Sequence, residues 1–267
     1  MSDTHPLASP HPASSLYFAL RKAPSRTKTP LRALYTLHKK WREAAVYKDP
    51  HQAVTTLNWW HHELDKAQAG DISHPAIIAL KPWLSDERFF QALQGLLHGH
   101  MHWHHLTRID SLAQLEPIID AIGGNFITAW QLIHGEYVPA FAQPAGRTLW
   151  WTDQIRHIGH NLTPSRMWLP MDWLRELNLP VNLLLNKSIK ADQRAQHGHA
   201  LTTFLITHTQ AEQTQITGNT QIRSLNTLLI LRQNLLTELQ SQPQELWAGL
   251  VTISPRRKWW TALTQRP

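Results

Sequence analysis

Apolar residues recur along most of this chain at steps of three and four, the period of a helix with one buried face. Leu31, Leu34, Leu37, Trp41 and Ala45 form one such stripe, and after Asp49-Pro50 a second runs through Leu57, Trp60 and Leu64. Asp suits an N-cap and Pro the first helical position, so the pattern predicts helices over about 29–46 and 50–68. Ser85-Asp86 caps a further run from Phe89 to His105, and Ser111 opens one containing Leu112, Leu115, Ile118 and Ile119. Gly123-Gly124 interrupts the next helix, where close packing is expected. A Pro- and Gly-containing link over 139–146 precedes a helix from about Arg147 to Asn161, and Thr163 to Pro170 reads as a loop or flap. Two long helices follow over roughly 186–213 and 221–241, with Thr217-Gly218-Asn219 as their turn. Alternation with a period of two is almost absent, so strands are not expected.

The 267 residues, 42% of them hydrophobic, suffice for a sizeable core. Residues 1–14 are rich in Pro, Ser and His and read as a disordered tail, leaving 15–264 as one domain. With no cysteine in the chain, only His, carboxylate or backbone oxygen is left to hold a metal. The longest apolar stretches, Leu183–Leu185 and Leu225–Leu231, fall far short of the roughly 20 residues that cross a bilayer, so a cytoplasmic protein with room for membrane association is expected.

A formal charge of +7 points to an anionic partner: nucleic acid, an anionic membrane surface or a phosphorylated small molecule. No nucleic-acid motif accompanies the charge, so that partner is not expected. Thirteen tryptophans, several in pairs, suit deep pockets and membrane interfaces, and Arg256-Arg257-Lys258 beside Trp259-Trp260 is a candidate peripheral membrane contact. His98, His102 and His105 share one face of their predicted helix, which makes them a transition-metal candidate, although solvated histidines are the commoner outcome.

Several segments in order resemble the squalene/phytoene synthase family, the head-to-head prenyl transferases. Ser15–Phe18 with Arg32–Leu37 resembles its first pocket helix, and Asp49-Pro50 with Leu57–Leu64 its second. Ala69-Gly70, His74-Pro75, Leu96–Gly99, Thr107-Arg108 and Gly123-Gly124 follow at the expected distances. The stretch Asp153–Asn161, then Arg166–Pro170, resembles the second metal motif and the Arg-x-Tyr-Leu-Pro flap, and Val251–Trp260 resembles the C-terminal end. The resemblance covers most of the chain and implies an all-α, isoprenoid-synthase-like helical bundle around a central pocket.

In that family two facing helices carry Asp-rich motifs whose magnesium ions grip the diphosphates of two prenyl substrates. Carboxylates four apart share a helical face and can chelate a hard cation, whereas His and Arg cannot serve magnesium in that way. Here the first motif falls on Arg42, Glu43 and Val46 and the second on Asp153, His157 and Asn161, which leaves one acid in each. His98, Met101 and Trp103 stand where the family usually has further acids. No cofactor is therefore expected, Glu43 and Asp153 being only weak metal candidates. By the same resemblance Tyr35, Lys39, Arg42, Glu43, Asp153, Arg156, His157, His160 and Asn161 line the substrate end of the pocket. The implied function is a catalytically degenerate member that binds an isoprenoid diphosphate or anionic lipid, or that assists a protein partner in assembling a membrane-associated complex. The alternative is an active, magnesium-dependent transferase joining two prenyl diphosphates to squalene or phytoene, with Glu43, Asp153 and His157 supporting an unusual metal set.

Overall fold

The protein was analysed as a computed structural model, which describes residues 7–162, 167–186, 188–217, 220–242, 245–248 and 252–264. Its helices are α1 (Ser15–Arg21), α2 (Ser25–Ala45), α3 (Pro50–Gln68), α4 (Pro75–Ile78), α5 (Glu87–His105), α6 (Leu112–Ile119), α7 (Asn125–Ile133), α8 (Pro139–Arg156), α9 (Ile158–Asn161), α10 (Met171–Glu176), α11 (Val181–Leu185), α12 (Ala191–Thr214), α13 (Arg223–Ser241), α14 (Glu245–Ala248) and α15 (Pro255–Thr264). A π-helical turn, Asp120–Gly124, joins α6 to α7. Among the described residues there is no strand, only an isolated bridge between Arg108 and Met167. None of the described helices is long and apolar enough to cross a membrane.

The caps act as the sequence suggests. Asp49 accepts the backbone N–H of His51 at 2.9 Å and starts α3, and Asp86 accepts that of Arg88 at 3.0 Å and starts α5. Differences appear where proline and glycine punctuate the chain. Helix α2 begins at Ser25 rather than near 29, so Pro30 lies inside it, past its first turn. Residues 139–146 are not a link: Pro139 opens α8, and the helix continues through Pro144 and Gly146. Gly146 serves contact between helices, because a methyl group on it or on Gly123 would overlap the other's backbone. Helix α8 also stops at Arg156, five residues early; His157 leaves helical geometry at φ −111° and ψ 15° before the short α9. There Gly159 lies so close to the carbonyl oxygens of Leu246 and Trp247 in α14 that no side chain fits.

Helix α8 is central, packed against α7, α12, α13 and the π turn, while α2, α5 and α7 form the facing layer and α3 covers α2 and α5. Nine of the thirteen tryptophans are buried, and Trp41, Trp130, Trp151 and Trp168 are sealed from solvent. Burying such a side chain stabilises a fold by upwards of about 2 kcal/mol. Residues 7–14 depart from the expected disordered tail. Leu7 is buried, the Ala8 N–H donates to Thr36 Oγ1 at 2.9 Å, Arg32 donates to Ser9 Oγ at 2.6 Å, and the Lys258 ammonium donates to the Ala13 carbonyl at 2.8 Å. Composition suggested a loose segment, whereas one leucine with a row of polar partners ties it down.

Candidate functional site

Between the α2–α5 layer and the α8–α13 layer lies a cavity of about 250 Å³. Its polarity follows the helices that build it. On α8, Gly146, Leu149 and Trp150 line one end, and one to two turns further on Asp153, Arg156 and His157 line the other. Helix α13 repeats the gradient with Leu228 and then Arg232, and α2 contributes Tyr35, His38 and Arg42 at helical steps of three and four.

The charged end holds three guanidinium groups, Arg42, Arg156 and Arg232, and one carboxylate, Asp153. Arg232 grips that carboxylate, Nη1 lying 2.6 Å from Oδ1 and Nη2 donating to Oδ2 at 3.2 Å. Burial works against the charge of Asp153, but Arg232, Arg42, Arg156 and His157 outweigh it and hold its carboxyl below the usual range. Burial, then Arg232, depresses the Arg156 guanidinium, and burial lowers the His157 imidazole despite the nearby carboxylate. Arg232 Nε and Nη1 are buried and neither makes a hydrogen bond among the described residues, the Nη1 approach to Asp153 being an ion pair. Tyr35 is half-buried, and burial raises its phenol, so it stays a neutral donor at the wall.

The structure brings Tyr35, Arg42, Asp153, Arg156 and His157 together, and separates the other predicted residues from them. Lys39 and Glu43 do not line the cavity. They pair with each other at 3.8 Å with side chains 37% and 51% exposed, because Glu43 sits about 100° further round α2 than Arg42. Asn161 is exposed and donates to Gln154 Oε1 at 3.3 Å; the break at His157 carries it off the face of Asp153. The His160 side chain lies outside the described residues, as do Thr163–Arg166 of the flap.

Two features escaped the sequence reading. Arg232 arrives from α13, far along the chain, its only signal being a cation set among Leu228, Leu231, Leu235 and Leu236. Deeper in the cavity, His100 Nε2 and His38 Nδ1 lie 3.1 Å apart, one ring donating to the other. Burial, with Arg42 beside it, pushes His38 down to about 3, and burial with the His38 neighbour also depresses His100 strongly, so both rings are neutral at pH 7. His100 therefore faces inward, while His98 stacks on His61 of α3 with ring centroids 5.2 Å apart. No group of three His, Asp or Glu residues among those described could hold a metal ion, and His98, His102 and His105 form no such group.

The donor set does not fit magnesium, which wants several oxygen ligands in near-octahedral array. Glu43 lies outside the cavity beside Lys39, and Asp153 already pairs with Arg232 through one hydrogen bond and one ion-pair contact, with Arg42 and Arg156 nearby. The arrangement is suited instead to an anion met directly by guanidinium donors.

Comparison with known proteins agrees with this architecture. The family model for squalene/phytoene synthase matches residues 10–230. No curated protein matches the sequence. A crystal structure of a dehydrosqualene synthase in complex with ligand superposes with a TM-score of 0.77 at 15% identity, covering 93% of this chain and 89% of that one. The squalene synthase HpnC from Alicyclobacillus acidocaldarius superposes with a TM-score of 0.55 at 13% identity, covering 87% of this chain and 100% of its own. The bundle is thus the all-α isoprenoid-synthase fold, and the chain belongs to the squalene/phytoene synthase family.

Proposed function

We propose that this protein is a catalytically degenerate family member that binds the phosphate end of an isoprenoid diphosphate or phosphorylated lipid directly, without metal. The observation carrying this reading is the double contact from Arg232 to Asp153, which engages the one acid left in the cavity while Arg42 and Arg156 stand beside it. Departure of pyrophosphate from a prenyl carbon builds negative charge on the leaving oxygens, and metal ions stabilise that charge by several kcal/mol. Guanidinium groups at fixed positions hold a diphosphate ground state well, each charge-assisted contact contributing about 1.5–3 kcal/mol. The apolar end around Leu149 and Trp150 accepts hydrocarbon behind the head group.

The test is calorimetric titration of the full chain in chelator with inorganic pyrophosphate, a non-ionisable farnesyl diphosphate analogue and a short-chain phosphatidate. Binding of pyrophosphate and the analogue, unchanged by added magnesium, is expected, and the phosphatidate arm separates a lipid head group from a prenyl diphosphate. Binding that needs magnesium, or squalene or phytoene formed from farnesyl or geranylgeranyl diphosphate at enzyme-like rates, overturns the reading.

A further inference from the structure

Helix α15 is built the wrong way round for a helix that only closes a bundle. Its inward side is made by Lys258 and Ala262, one turn apart and 4% and 5% exposed. Its outward side carries Trp259, Trp260 and Leu263, which are 51%, 63% and 51% exposed, and Arg256 completes that face at helical steps of three, four and seven. Most tryptophans of this chain are buried, so the fold has no difficulty covering indoles. On α15 it encloses an ammonium and leaves two indoles outside.

The enclosed Lys258 has defined work. Its Nζ donates to the Ala13 carbonyl at 2.8 Å and to Thr252 Oγ1 at 3.0 Å, and Arg257 pairs with Glu238 of α13 at 2.7 Å. These contacts fix the rotation of α15 and so fix the outward direction of the indoles. Burial lowers Lys258 to about 8, and the charges of Arg156 and Arg232 add to the effect.

We propose that the Arg256–Trp259–Trp260–Leu263 face of α15 seats the protein on an anionic bilayer surface. Indoles are at home in the interfacial zone, where the ring is buried and the N–H stays wet. Arg256 on the same face and the net charge of +7 favour anionic headgroups. A second copy of the chain fits less well, because both copies carry the same net charge of +7. The inference does not depend on what the cavity binds.

Flotation of the full chain with vesicles of phosphatidylcholine alone, or with 30 mol% phosphatidylglycerol (about one lipid in three, enough to give a clearly negative surface), tests it. Wild type is expected to float with the anionic vesicles. The W259A/W260A variant, which keeps every charge, is expected to lose partitioning about tenfold or more with unchanged circular dichroism. R256Q is expected to lose about fivefold, the worth of one cation at an anionic surface. Failure of wild type to float at low salt overturns the proposal. So does W259A/W260A floating like wild type, since binding then needs only diffuse charge. Wild type sedimenting as a dimer that W259A/W260A dissolves also overturns it, because the face then belongs to a second copy.

Discussion

Two ion clusters lie on the same helix, six residues apart, with opposite surpluses. Around Arg147 of α8 stand Asp120 at 2.6 Å, Glu116 at 3.5 Å and Glu212 at 3.7 Å, three acids for one guanidinium. Around Asp153 of the same helix stand Arg232, Arg42 and Arg156, three guanidiniums for one acid. The acid-rich cluster balances itself. Burial raises Glu212 toward its protonated form against the pull of Arg147, and the hydrogen bonds that Arg147 donates to Asp120 lock the guanidinium in its charged state. It joins α6, the π turn, α8 and α12, and acts as a clamp. In the cation-rich cluster no proton can relieve the charge, since arginine already holds its own. The acid surplus is one that protonation can quench, whereas the guanidinium surplus, which it cannot, lies at the wall of the cavity.

The sharpest way to break this contrast is Arg147→Ala. Three carboxylates then face one another without a cation, and the cost is expected to be about 3 kcal/mol in urea unfolding at pH 7, with ligand binding intact in the protein that remains folded. Arg147 is 21% exposed, which keeps the figure at the low end of values for buried pairs. A loss below about 1 kcal/mol would make the clamp an ordinary surface network.

Next in size is an acid-side loss of stability from the His38–His100 pair. Both imidazoles have folded values depressed below 6.5, so below that pH the unfolded chain binds protons that the native state refuses, and stability falls as pH drops from 6.5 toward 3. At pH 5, about 1.5 units down, His38 alone contributes a loss of about 2 kcal/mol. Unfolding curves at pH 7 and pH 5 should differ by at least that much, and His38→Phe with His100→Phe should flatten the difference. Parallel pH dependence in the double variant would assign the effect to other groups.

The cavity itself is probed by Arg232→Ala, which removes the donor to Asp153 and the buried Nε together. Pyrophosphate affinity in chelator should fall at least tenfold, with unfolding stability changed far less than by Arg147→Ala.

How much of this was legible in the sequence differs with the range of the interaction. The helical period and the Asp49 and Asp86 caps are local, so α3 came out with its ends and α5 with its start within two residues. Arg42, Asp153 and Arg156 were legible because family motifs fix them by spacing. Helix rotation and helix ends were not. Lys39 and Glu43 fit the motif in sequence, yet the turn of α2 directs them away from the cavity, and Gly159, just past the stop at Arg156, meets α14 nearly ninety residues later. Arg232 lay beyond reach for the same reason: 79 residues separate it from Asp153, and no local pattern pairs an arginine among leucines with a distant acid.

The smallest expected effect discriminates best, because its sign differs between the two readings of Asp153. If that carboxylate were a surviving metal ligand, Asp153→Asn would weaken diphosphate binding, and only in magnesium. If it is a counter-ion that occupies Arg232, the amide removes the charge that holds this guanidinium and frees it for a ligand, and pyrophosphate affinity in chelator should rise about three- to tenfold. The gain is modest because Asp153 also screens Arg42, Arg156 and Arg232 from one another, and without it their mutual repulsion loosens the site before ligand arrives. That repulsion supplies its own check. Raising the salt concentration should erase most of the difference between Asp153→Asn and wild type, whereas a lost metal ligand would leave a salt-insensitive defect.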